Sequence, residues 1–388
     1  MRIKDFTTKV GSGVTPRGGA EVYQSEGIPL FRSQNVTNEG LLLDDIAYIS
    51  KEIHESMSST RLRANDVLLN ITGASIGRCY YLPKDFTEGN VNQHVCIIRP
   101  TSKVLSPYLY YCLISNEGQQ KIELTQTGAN REGLSKEDIC NFEFDIPPLE
   151  EQSRIVSYLN DKTGKIDARV SLLTKKRDAY QRLKKALISR VVTKGLNPNA
   201  KFKPSGVDWI GEIPEGWEVL HFKRNLSINN GRDYKHIEVD EGYPVIGSGG
   251  TFANASEYLY DGEALLLGRK GTIDRPLYIN GKFWTVDTMF YAVPNRKTCC
   301  KYMYYQASTS PLARYSTNTA LPSMTQTSLQ NLLMCFPPLP EQQSIASYLD
   351  EKCSEIDANI ANLEKQIEKY KELKRALISE VVTGKRRV

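Results

Sequence analysis

Catalysis needs side chains that can hold a proton, a metal or a nucleotide, and this 388-residue chain spaces them poorly for all three. Its four histidines, His54, His94, His221 and His236, are not spaced to put two metal ligands on one helical face. A lone histidine is usually structural. The Gly384-Lys385 pair follows a helical stretch and is succeeded by arginine, so it makes no GxxxxGK[ST] loop to cradle phosphates. Asn197-Pro198-Asn199 is not the N-P-P-[YF] or D-P-P-Y tetrapeptide that would hold an amino group for methyl transfer. The acidic pairs Asp44-Asp45 and Glu150-Glu151 lack the accompanying pattern of a nuclease, and Glu372 to Lys374 falls on a helical repeat as a solvated face. Eight cysteines lie singly apart from Cys299-Cys300, without CxxC spacing, and are expected as reduced, mostly buried thiols. The chain is therefore expected to be no enzyme and to need no metal and no cofactor.

Composition bounds what remains. With 40% apolar and 24% charged residues the chain should fold as a soluble globular protein, and its length calls for two or three domains. Fifty Lys and Arg against 45 Asp and Glu leave a formal charge of +5, which permits nucleic-acid binding without demanding it. The opening MRIKDFTTKV has no apolar h-region, and runs such as Val67 to Leu69 and Ala264 to Leu267 fall far short of the roughly 20 residues that span a bilayer. A cytoplasmic location is expected.

An internal repeat organises the chain. Pro147 to Thr193 matches Pro337 to Thr383 without a gap, and 25 of the 47 pairs are identical. Weaker echoes precede each copy: Asp66-Val-Leu-Leu and Glu263-Ala-Leu-Leu, Ala74-Ser-Ile and Gly271-Thr-Ile, Tyr108-Leu-Tyr-Tyr and Tyr302-Met-Tyr-Tyr. The order is thus variable region, shared segment, variable region, shared segment.

The shared segments read as long amphipathic helices. Ile166, Leu173, Tyr180 and Leu187 recur every seven residues with Val170, Leu183 and Val191 between them; the second stripe is Ile356, Ile360, Leu363, Ile367, Tyr370, Leu373, Leu377 and Val381. Pro147-Pro148 and Pro337-Pro338 should stop the preceding strands, and Gly195 and Gly384 sit where a helix C-cap belongs. A break near Gly164 is expected, leaving a main helix of about 30 residues and about 45 Å. A heptad stripe is core, and two matching helices in one chain are expected to pair with each other. Either orientation is open to the residues. The antiparallel one, which relates the two halves by a pseudo-two-fold axis, is the orientation expected.

The variable regions read as mixed α/β with short strands at Ile28 to Arg32, Val67 to Ile71, Cys79 to Leu82, Val95 to Arg99, Ala264 to Leu267, Leu277 to Ile279 and Phe290 to Val293. Gly-rich turns at Gly11 to Gly19, Thr72 to Gly77, Gly247 to Thr251 and Gly268 to Thr272 interrupt them, and Tyr108 to Cys112 and Tyr302 to Tyr305 read as short helices. Leu196 to Asp208 is polar and carries Pro, Gly and Asn, as a linker would.

These motifs resemble those of type I restriction-modification specificity subunits: PPLEEQ and PPLPEQ, each followed by an Ile, a Tyr-Leu, an Ile-Asp and a closing ALIS-VVT. The entry Trp209-Ile-Gly-Glu-Ile-Pro-Glu-Gly-Trp217-Glu and the run Gly128 to Ile139 are also similar, so the resemblance covers essentially the whole chain. Two features depart from it: MRIKDF lacks the entry seen at Trp209 to Trp217, and 34 residues separate Tyr302 from Pro337 where 38 separate Tyr108 from Pro147. The resemblance implies α/β target recognition domains at 1–148 and 209–338, conserved helical regions at 149–195 and 339–388, and a linker at 196–208. It further implies a non-catalytic subunit that binds double-stranded DNA at a bipartite asymmetric site, partnered by two modification methyltransferase subunits and by restriction (translocase/nuclease) subunits. The paired helices would then act as a ruler, comparable with the roughly 34 to 36 Å of one DNA turn. Two readings of another class stay open on the residues alone: a free-standing DNA binder, and a coiled-coil scaffold whose domains hold proteins.

Phosphate contacts need Lys, Arg and small polar donors, while base readout favours Arg on guanine and Asn or Gln on adenine. Applied to the variable regions, this selects Arg32, Gln34, Asn35, Ser75, Arg78, Asn92, Gln93, Asn130 and Arg131 in the first. In the second it selects Ser248, Arg269, Lys270, Thr272, Asp287, Thr288 and Asn318. Lys175, Lys176, Arg177, Lys184 and Lys185 are expected on a solvated or partner-facing side of the helices.

Overall fold

The fold was obtained as a computed structural model, which describes residues 1–126, 133–316 and 322–388. Asn130, Arg131 and Asn318 lie outside the described residues. The chain divides into two compact units, Met1–Leu173 with Lys365–Val388, and Thr174–Glu364. Each unit is an α/β domain packed on part of the two long helices, Leu149–Lys194 and Leu339–Val382.

The helices are antiparallel. Within the first unit Asp167 pairs with Lys374 and Tyr158 with Arg386, so one helix ascends as the other descends. Ile155, Val156, Leu159 and Ile166 share a core there with Leu377, Ile378, Val381 and Val382. The second unit repeats the arrangement, with Ile188, Val191 and Val192 packed with Ile345, Leu349 and Cys353.

Two expectations for the helices need correction. Gly164 does not break the first one, because it is exposed, its missing side chain leaves no hole in the core, and 46 residues of continuous hydrogen bonding absorb a cost of about 1 kcal/mol. Leu183 and Leu373 do not belong to the buried stripe and stay 53% and 52% exposed. Their helical neighbours Lys184 and Lys374 occupy the inter-helix side instead, and successive residues point about 100° apart. Lys184 is accordingly no free solvated cation, since it bridges to Asp357.

The first unit is built on a sheet of four antiparallel strands in the order Thr7–Ser12, Val95–Pro100, Val67–Asn70, Cys79–Tyr81. Val67 to Leu69 are wholly buried because both faces of this strand are covered. A second small sheet places Ile28–Phe31 between Ala47–Ile49 and Asn90–Val91, parallel to the latter. The second unit reproduces this connectivity: Leu226–Asn230, Met289–Pro294, Tyr260–Gly268 and Leu277–Thr285 follow in the same order. Tyr243–Gly247 runs parallel to the end of Leu277–Thr285 and forms a hairpin with Gly250–Ala255, and Glu238–Val239 beside the latter completes a sheet of seven strands. The repeat visible in the helices thus extends to the sheets, where almost no sequence identity remains.

The shared motifs act as locks between helix and sheet. Gln152 is fully buried; its Oε1 accepts from Leu105 N at 2.8 Å, and its Nε2 donates to Lys103 O at 3.0 Å and Pro147 O at 2.8 Å. Gln342 does the same with Cys299 N at 2.9 Å, Lys297 O at 3.3 Å and Pro337 O at 2.8 Å. Tyr108 Oη donates to Asp145 O at 2.8 Å, and Tyr302 Oη to Cys335 O at 3.2 Å. Both helices end before a glycine of positive φ, Gly195 at 72° and Gly384 at 70°. The segment expected as a linker is partly ordered into a hairpin, Phe202–Pro204 paired with Glu212–Pro214.

Candidate nucleic-acid interface

In each unit the ends of the sheet strands bring several turns to one edge. Among the described residues of the first unit, Gly13 N donates to Val95 O at 3.0 Å, Ile71 N to His94 O at 3.0 Å and Leu134 N to Ile71 O at 2.9 Å. Asn92 N donates to Phe31 O at 3.1 Å, and Asn70 Nδ2 to Ser33 O at 2.7 Å. Candidates spread from residue 32 to residue 93 therefore meet, because the central strands deliver their turns side by side.

The second unit assembles the same edge. Gly231 N donates to Met289 O at 3.0 Å, Arg269 N to Thr288 O at 2.8 Å, Met324 N to Arg269 O at 2.8 Å and Val286 N to Ile246 O at 3.4 Å. These bonds bring Ser248, Arg269, Lys270, Asp287 and Thr288 together. Gly13 and Gly231 show how closely the backbones approach: a Cβ would lie 2.0 Å from Val91 O in one and 2.0 Å from Val286 O in the other. Only glycine fits either place.

Not every candidate can face a ligand. Asn35 is 1% exposed, its Nδ2 donating to Leu42 O at 3.0 Å and Asp45 O at 3.1 Å, so it cannot read a base. It pins the loop from Arg32 to Asp45. Arg32 is turned inward as well, donating through Nη2 to Asp45 O at 2.7 Å and lying 5.8 Å from the centre of the Tyr23 ring. Asn92 is buried and caps its own turn, its Oδ1 accepting from His94 N at 3.2 Å. These three amide and guanidinium groups shape the edge rather than present it.

The others remain available. Arg78 is exposed, with no side-chain partner among the described residues, and Ser75 is half-buried in the turn before it. Gln34 is exposed and hydrogen-bonded to Asp45, and Gln93 is exposed and bonded to Thr15 and to His94 Nε2. Lys270, Thr272 and Asp287 are exposed, and Ser248 and Thr288 are half-buried. Arg269 is half-buried, 5.7 Å from the Phe290 ring centre, with Nη1 donating to Asp287 O at 3.4 Å. A guanidinium so supported loses little freedom on meeting a planar acceptor pair.

Sequence reasoning missed several residues of this edge. Thr72 and His94 are joined Oγ1 to Nδ1 at 2.6 Å, and the exposed Arg17 and Arg232 follow the closely packed Gly13 and Gly231. The signal was present in Gly11 to Gly19 and in Asn229-Asn230-Gly231-Arg232, where a Gly-rich turn carries an arginine. Of the other histidines, His54 is buried on Asn90 Oδ1 at 2.5 Å, His221 meets Asn331 O at 3.0 Å, and the exposed His236 has its ring centre 6.3 Å from that of Trp284. Among the described residues no cluster of three His, Cys, Asp or Glu could hold a metal, and no helix is long and apolar enough to cross a membrane.

The edges are chemically unlike within a common frame. The first offers Arg17, Arg78, Gln34, Gln93 and His94, and the second Arg232, Arg269, Lys270, Thr272 and Asp287. Such surfaces combine charge for phosphates with amide, hydroxyl, guanidinium and carboxylate groups able to distinguish base edges.

The family model for the type I restriction modification DNA specificity domain matches residues 1–174 and 214–369. A putative type I restriction enzyme MjaX specificity subunit of Methanocaldococcus jannaschii is 23% identical across 100% of this chain and 93% of its own length. The MjaVIII specificity subunit of the same organism is 25% identical across 100% of this chain and 92% of its own. A solved structure, described as the structural basis underlying complex assembly and conformational transition of the type I R-M system, shares the fold. Its TM-score is 0.76 at 16% identity, covering 99% of this chain and 97% of that one.

Proposed function

Because the chain belongs to the type I restriction modification DNA specificity family, we propose that each unit reads one half of a split, asymmetric DNA sequence through the turn edge described above. The observation that carries this reading is the pairing of a common backbone frame, marked by Gly13 and Gly231, with different side chains in the two units. A repeated frame holds two reading edges alike, and divergent side chains make the half-sites differ.

The role is one of DNA recognition without catalysis, as the family is one of specificity subunits. Chemistry would come from partners: two modification methyltransferase subunits, and restriction subunits that translocate and cut. The two-fold repeat of the helices supports two equivalent methyltransferase positions. A cytoplasmic location, beside the DNA to be modified, follows from the same reading. On the DNA, exposed Arg17, Arg78, Arg232 and Lys270 would hold phosphates, and Gln34, Gln93, Arg269, Thr272 and Asp287 would meet base edges. Arg131, Asn130 and Asn318 belong to the same set by residue type.

Methylome sequencing tests this reading in a host expressing the chain with its neighbouring methyltransferase, against the same host without the chain. A split asymmetric methylated motif that vanishes with the chain is expected. Methylation independent of it overturns the assignment and leaves a free-standing binder as the alternative.

A further inference from the structure

Each edge carries one turn that its frame pins with four backbone hydrogen bonds, and the four match between the units. The turn of the first unit closes with Val95 N donating to Asn92 O at 3.2 Å, and that of the second with Met289 N donating to Val286 O at 2.9 Å. The other bonds tie each turn to its surroundings. Asn92 N on Phe31 O answers Val286 N on Ile246 O, Gly13 N on Val95 O answers Gly231 N on Met289 O, and Ile71 N on His94 O answers Arg269 N on Thr288 O. Gln93 and Asp287 therefore stand at the same position of the frame. Both are exposed, and the residue after each, His94 or Thr288, is half-buried. Val91-Asn92-Gln93-His94-Val95 and Thr285-Val286-Asp287-Thr288-Met289 share no residue in register, so the match is invisible in the sequence.

The two side chains offer different chemistry at that position. Gln93 is held from both sides: its Oε1 accepts from Thr15 Oγ1, its Nε2 donates to His94 Nε2 at 3.1 Å, and His94 Nδ1 lies 2.6 Å from Thr72 Oγ1. An amide has two N–H groups and an oxygen with two lone pairs, so one donor and one acceptor stay free. In the major groove that pair matches adenine, whose N7 accepts and whose N6 amino group donates, whereas guanine presents two acceptors. Asp287 can only accept. Its side chain is exposed and makes no hydrogen bond or ion pair among the described residues. On an edge that meets phosphates such a carboxylate lowers affinity unless a base amino group faces it, and cytosine N4 offers that donor in the major groove.

We propose that Gln93 and Asp287 are one reading position repeated in the two units, and that they select different bases there: Gln93 an adenine in one half-site, Asp287 a cytosine in the other. Thr15 and His94 are positioning residues that fix the Gln93 amide. The inference rests on the reading of both edges as DNA-binding surfaces.

The test is methylome sequencing with the full chain and its methyltransferase, comparing the unaltered chain with Gln93→Ala, Asp287→Ala, Gln93→Glu and Asp287→Asn. These side chains are exposed, so the substitutions leave the fold intact. Each alanine variant should relax one position in a different half of the motif, where a base preference of roughly tenfold or more falls to near one. Gln93→Glu should move its position from adenine to cytosine, and Asp287→Asn should move its own from cytosine to adenine. A variant that no longer methylates is read by gel-shift competition among duplexes carrying each base pair in turn along the half-site. Preference lost at one position supports the proposal, and preference retained at all of them overturns it. A split motif that none of the four variants alters, or one in which Gln93→Ala and Asp287→Ala change the same half, overturns this inference alone. No split motif with the unaltered chain overturns the DNA reading and this inference with it.

Discussion

Lys184 Nζ lies 2.7 and 2.6 Å from the two carboxylate oxygens of Asp357, and Lys374 Nζ lies 2.8 Å from both oxygens of Asp167. Each pair is the image of the other across the repeat, since Lys184 corresponds to Lys374 and Asp167 to Asp357. An antiparallel pairing satisfies both at once. In a parallel pair in register, each Lys would instead stand beside its own counterpart.

These bridges are partly exposed, so solvent screening keeps each of them small, at roughly 0.2 to 1 kcal/mol. Their value lies in register. Asp357→Lys should cost more than Asp357→Ala because it sets like charges together, and Lys184→Asp combined with Asp357→Lys should recover most of the loss. Urea unfolding of these three variants beside the unaltered chain checks this. Failure of the double variant to recover would argue against a direct pair.

The buried glutamines should matter more. Removing the Gln152 amide strands Leu105 N, Lys103 O and Pro147 O inside the protein, and each unsatisfied buried group costs about 1 to 3 kcal/mol. Gln152→Leu should therefore lower stability by at least about 2 kcal/mol, and Gln342→Leu by a similar amount. Gln152→Glu should not rescue, because an ionised carboxylate would face two carbonyl oxygens. Thermal unfolding midpoints decide the matter.

Candidates that present the edge and those that shape it should separate by experiment. Lys270→Ala in the chain assembled with its methyltransferase should weaken binding across DNA sequences and reduce the salt slope by about 1. Arg269→Ala should cost about 1 to 3 kcal/mol and relax preference at one base position if it is bidentate there. Asn35→Ala should instead lower the unfolding midpoint and leave the salt slope of the folded protein unchanged. Salt titrations of DNA affinity, run beside unfolding curves, distinguish the two patterns.

The thiols give a pH dependence. Burial pushes Cys96, Cys112, Cys300 and Cys335 up to about 12 from 9.0. A group whose folded pKa is raised stabilises fully below its unfolded value and loses that contribution as pH climbs through the folded one. Stability should thus hold near neutrality and fall between about pH 9 and 12 as unfolding releases these protons. Urea midpoints at pH 8 and pH 10 should show the decline, and Cys→Ala at these positions should flatten it. Native protein at pH 8 should also react slowly with thiol reagents at these four sites.

Much of this architecture was legible because it rests on short-range patterns. Period-seven apolar residues, paired prolines and terminal glycines announced both long helices, and short continuous apolar runs placed the Val67, Cys79 and Val95 strands. Leu183 and Leu373 were misplaced because a heptad count alone cannot tell the inward Lys184 from the leucine beside it. The strand Thr7–Ser12 and the hairpin of Tyr243–Gly247 with Gly250–Ala255 were missed because polar residues, proline and glycines break up their apolar runs.

By itself the sequence determined the repeat, the two helices, the missing catalytic motifs and the residue types available for DNA, since each depends on identity and spacing along the chain. Tertiary structure alone decided helix orientation and which turns meet at one edge. It also decided which polar candidates are consumed in holding that edge. Asn35 and Gln34 are neighbours of similar chemistry, and only the path of the loop to Asp45 makes one a buried pin and leaves the other exposed. Such outcomes depend on long-range packing and on where each buried donor finds its acceptor, and local sequence does not encode them.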